Sequence, residues 1–142
     1  MSINTFSVGR DCQLVLMGPF GRVDLTHVTG FESRQRTAAV RVDRIDGTQL
    51  GAELPKGWEG FFELERGSSA VDDLIAQMEA TYHAGGTVAV GSLFQYVNET
   101  DGSTSTYQYD GAVFKLSQAG SWRGDQSVKQ RLEFFASTRR RI

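Results

Sequence analysis

The sequence predicts a mainly β fold, a β-sandwich or barrel of six to seven strands that carries one α-helix. Several short segments alternate apolar and polar residues, which is the period of a strand with one buried face. Glycine occurs 16 times in 142 residues and proline only twice, which favours a turn-rich β protein over a helical bundle. Only one segment repeats its apolar residues with the period of a helix. The length predicts a single domain over residues 1–142.

The first predicted strands form a hairpin. Residues 12–17 are apolar or small at nearly every position, which indicates a well-buried strand, and residues 18–21 form the turn. From Arg22 onward, apolar side chains alternate with polar ones. We expect residues 35–45 to continue this second strand across a bend at Gly30.

The alternation then fails, and a long loop is expected over about residues 46–57. Loops of this length in small domains usually carry function. The next strand places Trp58, Phe62 and Leu64 on one face. Its other face carries Glu59, Glu63 and Glu65, with Phe61 as the one aromatic residue among them.

One helix is predicted, over about residues 69–84. Ser69 is a candidate N-cap, and the glycines at 85–86 end the helix. Apolar side chains at helical spacing form a stripe that packs on a sheet: Val71, Leu74, Ile75, Met78 and Tyr82. The acidic residues Asp72, Asp73 and Glu79 are expected to face solvent.

Residues 87–97, 104–116 and 126–137 supply three further strands. The first two form a hairpin with an exposed turn at residues 98–103, and Asp110-Gly111 predicts a bulge. The last strand has two distinct faces, with an inner set of Val128, Leu132, Phe134 and Ala136 and an outer set of Lys129, Arg131 and Glu133.

The net charge of −2 is unevenly distributed. Residues 1–45 are slightly basic, residues 46–101 are strongly acidic, and the remainder is basic and ends in Arg139, Arg140 and Arg141. Such asymmetry is typical of a nucleic-acid patch, or of copies whose basic and acidic segments meet. Duplex-binding domains are usually basic, so specific DNA binding is not expected.

The sequence contains no catalytic or metal-binding constellation. The two histidines are far apart and Cys12 is the single cysteine, so neither a metal site nor an intrachain disulfide is predicted. Glu63 and Glu65 are interpreted as solvated charge rather than as an acid–base pair. We therefore expect no enzyme activity and no cofactor. No apolar run approaches a membrane span, so no membrane anchor is expected.

These features suit self-assembly. A head-to-tail contact between identical copies makes a ring if its rotation closes, and exposed strand edges supply its hydrogen bonds. Six segments in order carry a family resemblance: GRDCQLVL (9–16), HVTGFE (27–32), RIDG (44–47), GWEGFF (57–62), GAVF (111–114) and QRLEFF (130–135). Over nearly the whole chain, this order resembles the inner tail tube proteins of contractile bacteriophages, which are related to the tubes of R-type pyocins and of type VI secretion.

The resemblance implies a tail tube fold and a structural role in the virion tail, after synthesis in the cytoplasm of the bacterial host. Six copies form a ring with a continuous inner β-barrel, and the rings stack into a hollow tube. DNA passes through the lumen during ejection without specific binding. The implied partners are other copies of the chain, the contractile tail sheath protein, and the baseplate and tail terminator proteins.

The resemblance also implies roles for three groups of residues. The long loop and the basic tail are candidates for subunit and ring contacts: Asp46, Gln49, Leu50, Glu53, Leu54, Lys56, Arg139, Arg140 and Arg141. Glu59, Glu63 and Glu65 are candidates for the lumen, where acidic side chains would repel DNA. Asp72, Asp73 and Glu79 are candidates for the sheath contact.

Two alternatives stay open. One is a baseplate or tail-tip adaptor with the same fold. The other is a small ligand-binding β-barrel, in which aromatic residues would line a pocket: Trp58, Phe62, Tyr96 and Tyr107.

Overall fold

Two antiparallel sheets that share one strand form the frame of the molecule. The computed structural model describes residues 7–18, 21–25, 27–86 and 90–142. A short 3-10 helix at Gly9–Asp11 precedes the strands, which are β1 (Cys12–Gly18), β2 (Gly21–Leu25), β3 (Val28–Asp43), β4 (Gln49–Glu65), β5 (Gly91–Asn98), β6 (Thr104–Gln118), β7 (Lys129–Ala136) and β8 (Thr138–Arg141). The helix α1 spans Ala70–His83. The predicted mainly β class with one helix is confirmed, and the described residues form eight strands, where six or seven were predicted.

The strand order is β2-β1-β5-β6-β7-β4-β3, and β8 pairs with β6. Strand β6 belongs to both sheets: its first part pairs with β5 and β8, and its second part pairs with β7. We call the sheet with β1, β2, β5 and β8 sheet A, and the sheet with β3, β4 and β7 sheet B. The predicted turn at residues 18–21 and the predicted strand start at residue 87 involve positions 19–20 and 87–89, outside the described residues.

A bulge turns β6 from one sheet into the other, as predicted at Asp110-Gly111. Gly91 pairs with Ala112 and Leu93 pairs with Tyr109, so two residues of β6 oppose one residue of β5. Gly111 has φ of +63°, a left-handed conformation that favours glycine. The bulge therefore lets one strand serve both layers.

The core lies between the inner faces of the two sheets. The Tyr109 ring meets Phe134 edge-on at 5.4 Å, and Phe31 stacks on Phe134 at 5.9 Å. The Tyr109 hydroxyl lies 2.9 Å from the Ser33 hydroxyl across the two layers. The predicted inner residues Leu132, Phe134 and Ala136 of β7 are confirmed as buried.

The helix closes one end of the sandwich, next to the end of β4 and the start of β7. It begins and ends close to the predicted residues, and Val71 and Leu74 are buried. Ser69 occupies the N-cap position as predicted, but its hydroxyl makes no capping hydrogen bond and donates to the Asp73 carboxylate instead. Tyr82 was predicted to pack on a sheet with the apolar stripe of the helix, and this is wrong, because its side chain is 58% exposed.

The expected loop at residues 46–57 is wrong. From Gln49 this segment belongs to β4 and pairs with β3, with Asp43 opposite Gln49 and Thr37 opposite Pro55. Among the described residues, no further element covers residues 37–55, so both faces of this hairpin are largely exposed. The segment therefore lacks the buried face by which a strand is recognised in sequence. We call residues 37–55 the arm. Strand β3 runs through Gly30 with an irregularity of its register between Val28 and Gly30, where the bend was predicted, and it is a separate strand from β2.

The C-terminal tail forms β8, and all three of its arginines engage groups of their own subunit. The Arg139 guanidinium lies 3.9 Å from the centroid of the Tyr107 ring and 4.8 Å from that of Trp58. Arg140 pairs with Asp110 at 2.6 Å, and Arg141 donates to the Ser105 hydroxyl at 3.2 Å. The contacts between copies that the resemblance implies for these arginines stay a prediction.

Replacing Arg139 by alanine should lower the free energy of unfolding by about 1–2 kcal/mol, because the cation–π contacts and the packing of its stem are lost. Arg140→Ala is the matched control. Its ion pair is largely exposed, so its loss should cost about 0.5 kcal/mol or less. Urea unfolding measures both values, and equal losses would contradict this role of Arg139.

Candidate assembly surface

One face of the arm carries only apolar side chains. The register places Ala38 opposite Leu54, Val40 opposite Ala52, and Val42 opposite Leu50. These six side chains form the apolar arm face: Ala38, Val40, Val42, Leu50, Ala52 and Leu54. The two valines and two leucines are between 42% and 51% exposed. A two-stranded ribbon with nothing packed on it cannot bury this face by itself.

The opposite face of the arm is polar and holds the two strands in register. The Glu53 carboxylate accepts hydrogen bonds from Arg41 and from the Thr37 hydroxyl, each at 2.8 Å. These hydrogen bonds hold the pKa of Glu53 below its ordinary value. Because the ion pair is exposed, it contributes mainly geometry to the arm and little stability.

A tight turn forms the tip of the arm. The Asp46 carboxylate accepts hydrogen bonds from the backbone amide and the hydroxyl of Thr48, which lower the pKa of Asp46. Gly47 follows with φ of +88°. Ile45 is fully exposed at the tip. The Asp46 side chain thus shapes the turn, and Ile45 is the apolar residue that the tip presents.

A bulge at Lys56-Gly57 brings the apolar residues of the two strands onto one face. Gln35 pairs with Trp58 and Thr37 pairs with Pro55, so two residues of β4 oppose Arg36 alone. Without the extra residue, every partner beyond this point would shift by one position. Val40 would then lie opposite Glu53, and the apolar face would be divided between both sides of the ribbon.

Only glycine fits at position 57. Its φ is +107°, and an added Cβ would lie 2.7 Å from the Phe135 ring and 2.8 Å from the carbonyl oxygen of Ala136. The bulge therefore lies where the arm leaves sheet B, in close contact with Phe135 and Ala136 of β7.

The apolar arm face lies on the same side of the β3–β4 ribbon as the outer face of sheet B. Along β3, Arg34 and Val40 share this side by strand alternation. Arg34 pairs with Glu59 at 2.8 Å, and the Arg131 guanidinium lies 3.9 Å above the Phe61 ring. The outer face encloses a groove of about 490 Å³ whose lining includes Arg34, Glu59, Phe61, Lys115, Arg131 and Phe135.

The three glutamates predicted to line a lumen all lie on the outer face of sheet B. Glu59 is paired with Arg34, and Glu63 lies 3.5 Å from Arg131. One carboxylate oxygen of Glu65 is buried, and no hydrogen-bond partner for it exists among the described residues. Arginines of the same face pair with Glu59 and Glu63, so this face is less acidic than its three glutamates alone would make it, and its place in a lumen stays a prediction.

The other predicted contact residues are divided among several environments. Leu50 and Leu54 lie on the apolar arm face, Gln49 and Glu53 on the polar face, and Lys56 in the bulge. On the helix, Asp73 and Glu79 are exposed as predicted. Asp72 instead pairs with Arg66 at 2.9 Å and accepts a hydrogen bond from Gln130, so it faces the body of the subunit.

The predicted contact residues include Leu50 and Leu54 but not the other members of the apolar arm face. These are Ala38, Val40 and Val42 on β3 and Ala52 on β4. Val40 and Val42 lie in a predicted strand, but the matching alternation of Leu50, Ala52 and Leu54 lies in the segment predicted as a loop. Asp46-Gly47 between two alternating segments is a strong hairpin signal that would have found both.

The aromatic residues of the ligand-barrel alternative do not surround one space. Phe62 is fully buried in the core, and Trp58 and Tyr107 pack around Arg139. Tyr96 lies on the outer face of sheet A, stacked against Phe94 at 6.5 Å.

Within residues 7–18, 21–25, 27–86 and 90–142, no cluster of three or more His, Cys, Asp or Glu side chains could hold a metal ion. Over the same ranges, no helix has the length and apolar character needed to span a membrane.

The sequence matches no family model and no curated protein, but its structure matches solved ones. A chain of the anti-feeding prophage cap, described as its tube-terminating cap, matches with a TM-score of 0.68 and 11% identity over 100% of this chain and 94% of that chain. The chain has the fold of contractile injection system components. A chain of the PVC sheath-tube complex in its extended state matches with a TM-score of 0.62 and 10% identity, covering 92% of this chain and 88% of that one. A chain of the anti-feeding prophage baseplate gives 0.57 and 10%, covering 98% and 97%.

Gly57→Ala should lower the free energy of unfolding by roughly 2 kcal/mol or more, because it combines a left-handed φ with a clash against Phe135 and Ala136. Gly47→Ala is the matched control: its φ is also positive, at +88°, but an added Cβ there meets nothing within 4 Å. It should cost about 1 kcal/mol. Urea unfolding compares the two, and equal costs would contradict the close contact of the bulge with β7.

Proposed function

We propose that this chain is a structural component of a contractile tail, in which copies form stacked hexameric rings. The rings build the inner tail tube, a sheath encloses the tube, and phage DNA passes through its lumen. The observation that carries the proposal is the apolar arm face, which is exposed in the single chain and consists of six side chains in matched register.

Burial of the apolar arm face against another copy would supply the energy of assembly. Covering a half-exposed valine or leucine contributes about 1 kcal/mol by area, so the face contributes several kcal/mol per copy. Each ring repeats the contact, and repeated contacts reinforce one another because the later ones form within an assembly. This explains how a modest surface per subunit supports a long polymer.

Free strand edges support ring closure. Within the part of the chain that the structure describes, β2 pairs only with β1, and β3 pairs only with β4. Each edge strand therefore has backbone amide and carbonyl groups available to a neighbouring copy. A heterologous contact through such edges makes a ring where its rotation closes, which is the geometry that the proposal requires.

We assign the outer face of sheet B, with Glu59, Glu63 and Glu65, to the lumen. The arginines on this face are already paired with glutamates, so few cations are left to hold phosphates, and DNA would pass without strong attachment. The exposed helix residues Asp73 and Glu79 are assigned to the sheath, whereas Asp72 orients Arg66 within the subunit.

A baseplate or terminator adaptor is the second candidate. It is favoured by the structural likeness to chains of a tube-terminating cap and of a baseplate. An adaptor would form single rings of fixed size, whereas a main tube protein would form filaments of variable length. Negative-stain electron microscopy of the purified protein distinguishes the two.

Val40→Lys should abolish assembly, because it places a charge in the centre of the apolar arm face. Ala39→Lys is the matched control: it lies next in sequence, is also exposed, and points to the polar face opposite Glu53. This variant should assemble like the unmodified chain. Sedimentation velocity measures the size distribution, and circular dichroism shows that both variants fold. Normal assembly of Val40→Lys would refute the role of the arm.

The purified protein should show no salt-sensitive affinity for duplex DNA, because a conducting lumen cannot hold its cargo. Fluorescence anisotropy with a labelled duplex at several salt concentrations provides the measurement. Micromolar binding at physiological salt would count against the tube proposal.

A further inference from the structure

A second exposed apolar feature lies at the opposite end of sheet B from the arm. Strand β4 runs from the arm to Glu65, and the amide of the next residue, Arg66, donates to the carbonyl oxygen of Val128 at 2.7 Å. Val128 closes the connection between β6 and β7, residues 119–128, which we call the Trp122 loop. At about 3.3 Å per residue, the 17 residues of β4 span roughly 55 Å, so the arm cannot reach the Trp122 loop of its own subunit.

The exposed Trp122 ring is held in place by a chain of polar contacts within the subunit. It is 69% exposed, and the Arg66 guanidinium lies 5.2 Å from its centroid. Arg66 is held by Asp72 at 2.9 Å, and Asp72 in turn accepts a hydrogen bond from the buried Gln130. This chain of contacts orients a large apolar side chain toward solvent, and tryptophan in such a setting is a frequent anchor of protein interfaces.

The arm and the Trp122 loop are complementary. The arm offers a flat aliphatic face, and the loop offers an aromatic ring. Beside the face, Asp43 and Arg44 have no ion-pair partner among the described residues, and the same holds for Arg123 and Asp125 beside Trp122. Each surface thus brings one unpaired charge of each sign to the rim of an apolar contact.

We infer that the arm of one copy docks its apolar face on the Trp122 loop of the next copy. The inference rests on the proposed stacking and names the surface that receives the arm. Because each copy carries an arm at one end of sheet B and a Trp122 loop at the other, the contact is heterologous and propagates head to tail. A stack built this way has unused arms at one end and unused loops at the other.

Disulfide trapping tests the contact directly. In a Cys12→Ser background, the paired substitutions Val42→Cys and Ser121→Cys place one thiol on the apolar arm face and one beside Trp122. The two thiols of one subunit are too far apart to bond, so oxidation of assembled protein should give a ladder of covalent multimers on a non-reducing gel. A bis-maleimide with a spacer of about 10 Å covers contacts outside disulfide geometry.

Two controls separate this inference from the proposed assembly. Val42→Cys alone should give no dimer, because the contact joins arm to loop and not arm to arm. Val42→Cys with Met17→Cys, which lies on the outer face of sheet A and is 39% exposed, should give no ladder. If the protein assembles but the Val42→Cys/Ser121→Cys pair gives no ladder while one of the two controls crosslinks, the docking site is overturned and the assembly proposal stands. Protein that stays monomeric and gives no ladder would overturn both.

Removal of the ring provides an independent measurement. Trp122→Ala should raise the critical concentration for assembly about tenfold or more, and Trp122→Phe should raise it much less, because a smaller aromatic ring still fills the contact. An unchanged critical concentration for a folded Trp122→Ala variant would contradict the inference.

Discussion

The bulge at Lys56-Gly57 is the constraint on which the arrangement depends. In the body of the subunit, Trp58, Phe62 and Leu64 turn inward and build the core. The extra residue lets the alternating apolar residues of β4 continue into the arm and meet those of β3. One strand therefore serves two purposes: its second half stabilises the subunit, and its first half presents an apolar face that a single subunit cannot cover.

Outside the apolar arm face, several acidic side chains on the surface pair with arginines of the same subunit. Glu59 and Glu63 on sheet B, Glu53 on the arm and Asp110 beside β8 each have an arginine partner within the subunit. Exposed pairs of this kind contribute little to folding stability. Because these pairs leave little free charge on the surfaces, the proposed assembly depends mainly on apolar contact between copies, with little unspecific attraction to DNA.

Much of the body could be predicted from sequence, because a strand with one buried face alternates apolar and polar residues. The two faces of β7, the bulge in β6 and the extent of α1 followed from alternation, an Asp-Gly pair and helical spacing. The arm was predicted as a loop because its apolar residues are exposed in the single chain and no buried face marks it as strand, although Asp46-Gly47 between two alternating segments carries the hairpin signal. The packing of Arg139 could not be predicted, because a basic tail gives no sign of the aromatic rings, distant in sequence, against which it packs.

Hydrogen exchange across a concentration series tests the central claim most directly. In dilute monomer, the backbone amides of residues 37–55 belong to an uncovered ribbon and should exchange rapidly, while those of the core strands are protected. At concentrations that give rings or filaments, the arm should become protected together with residues 119–128. Assemblies in which the arm exchanges as fast as in the monomer would contradict the account.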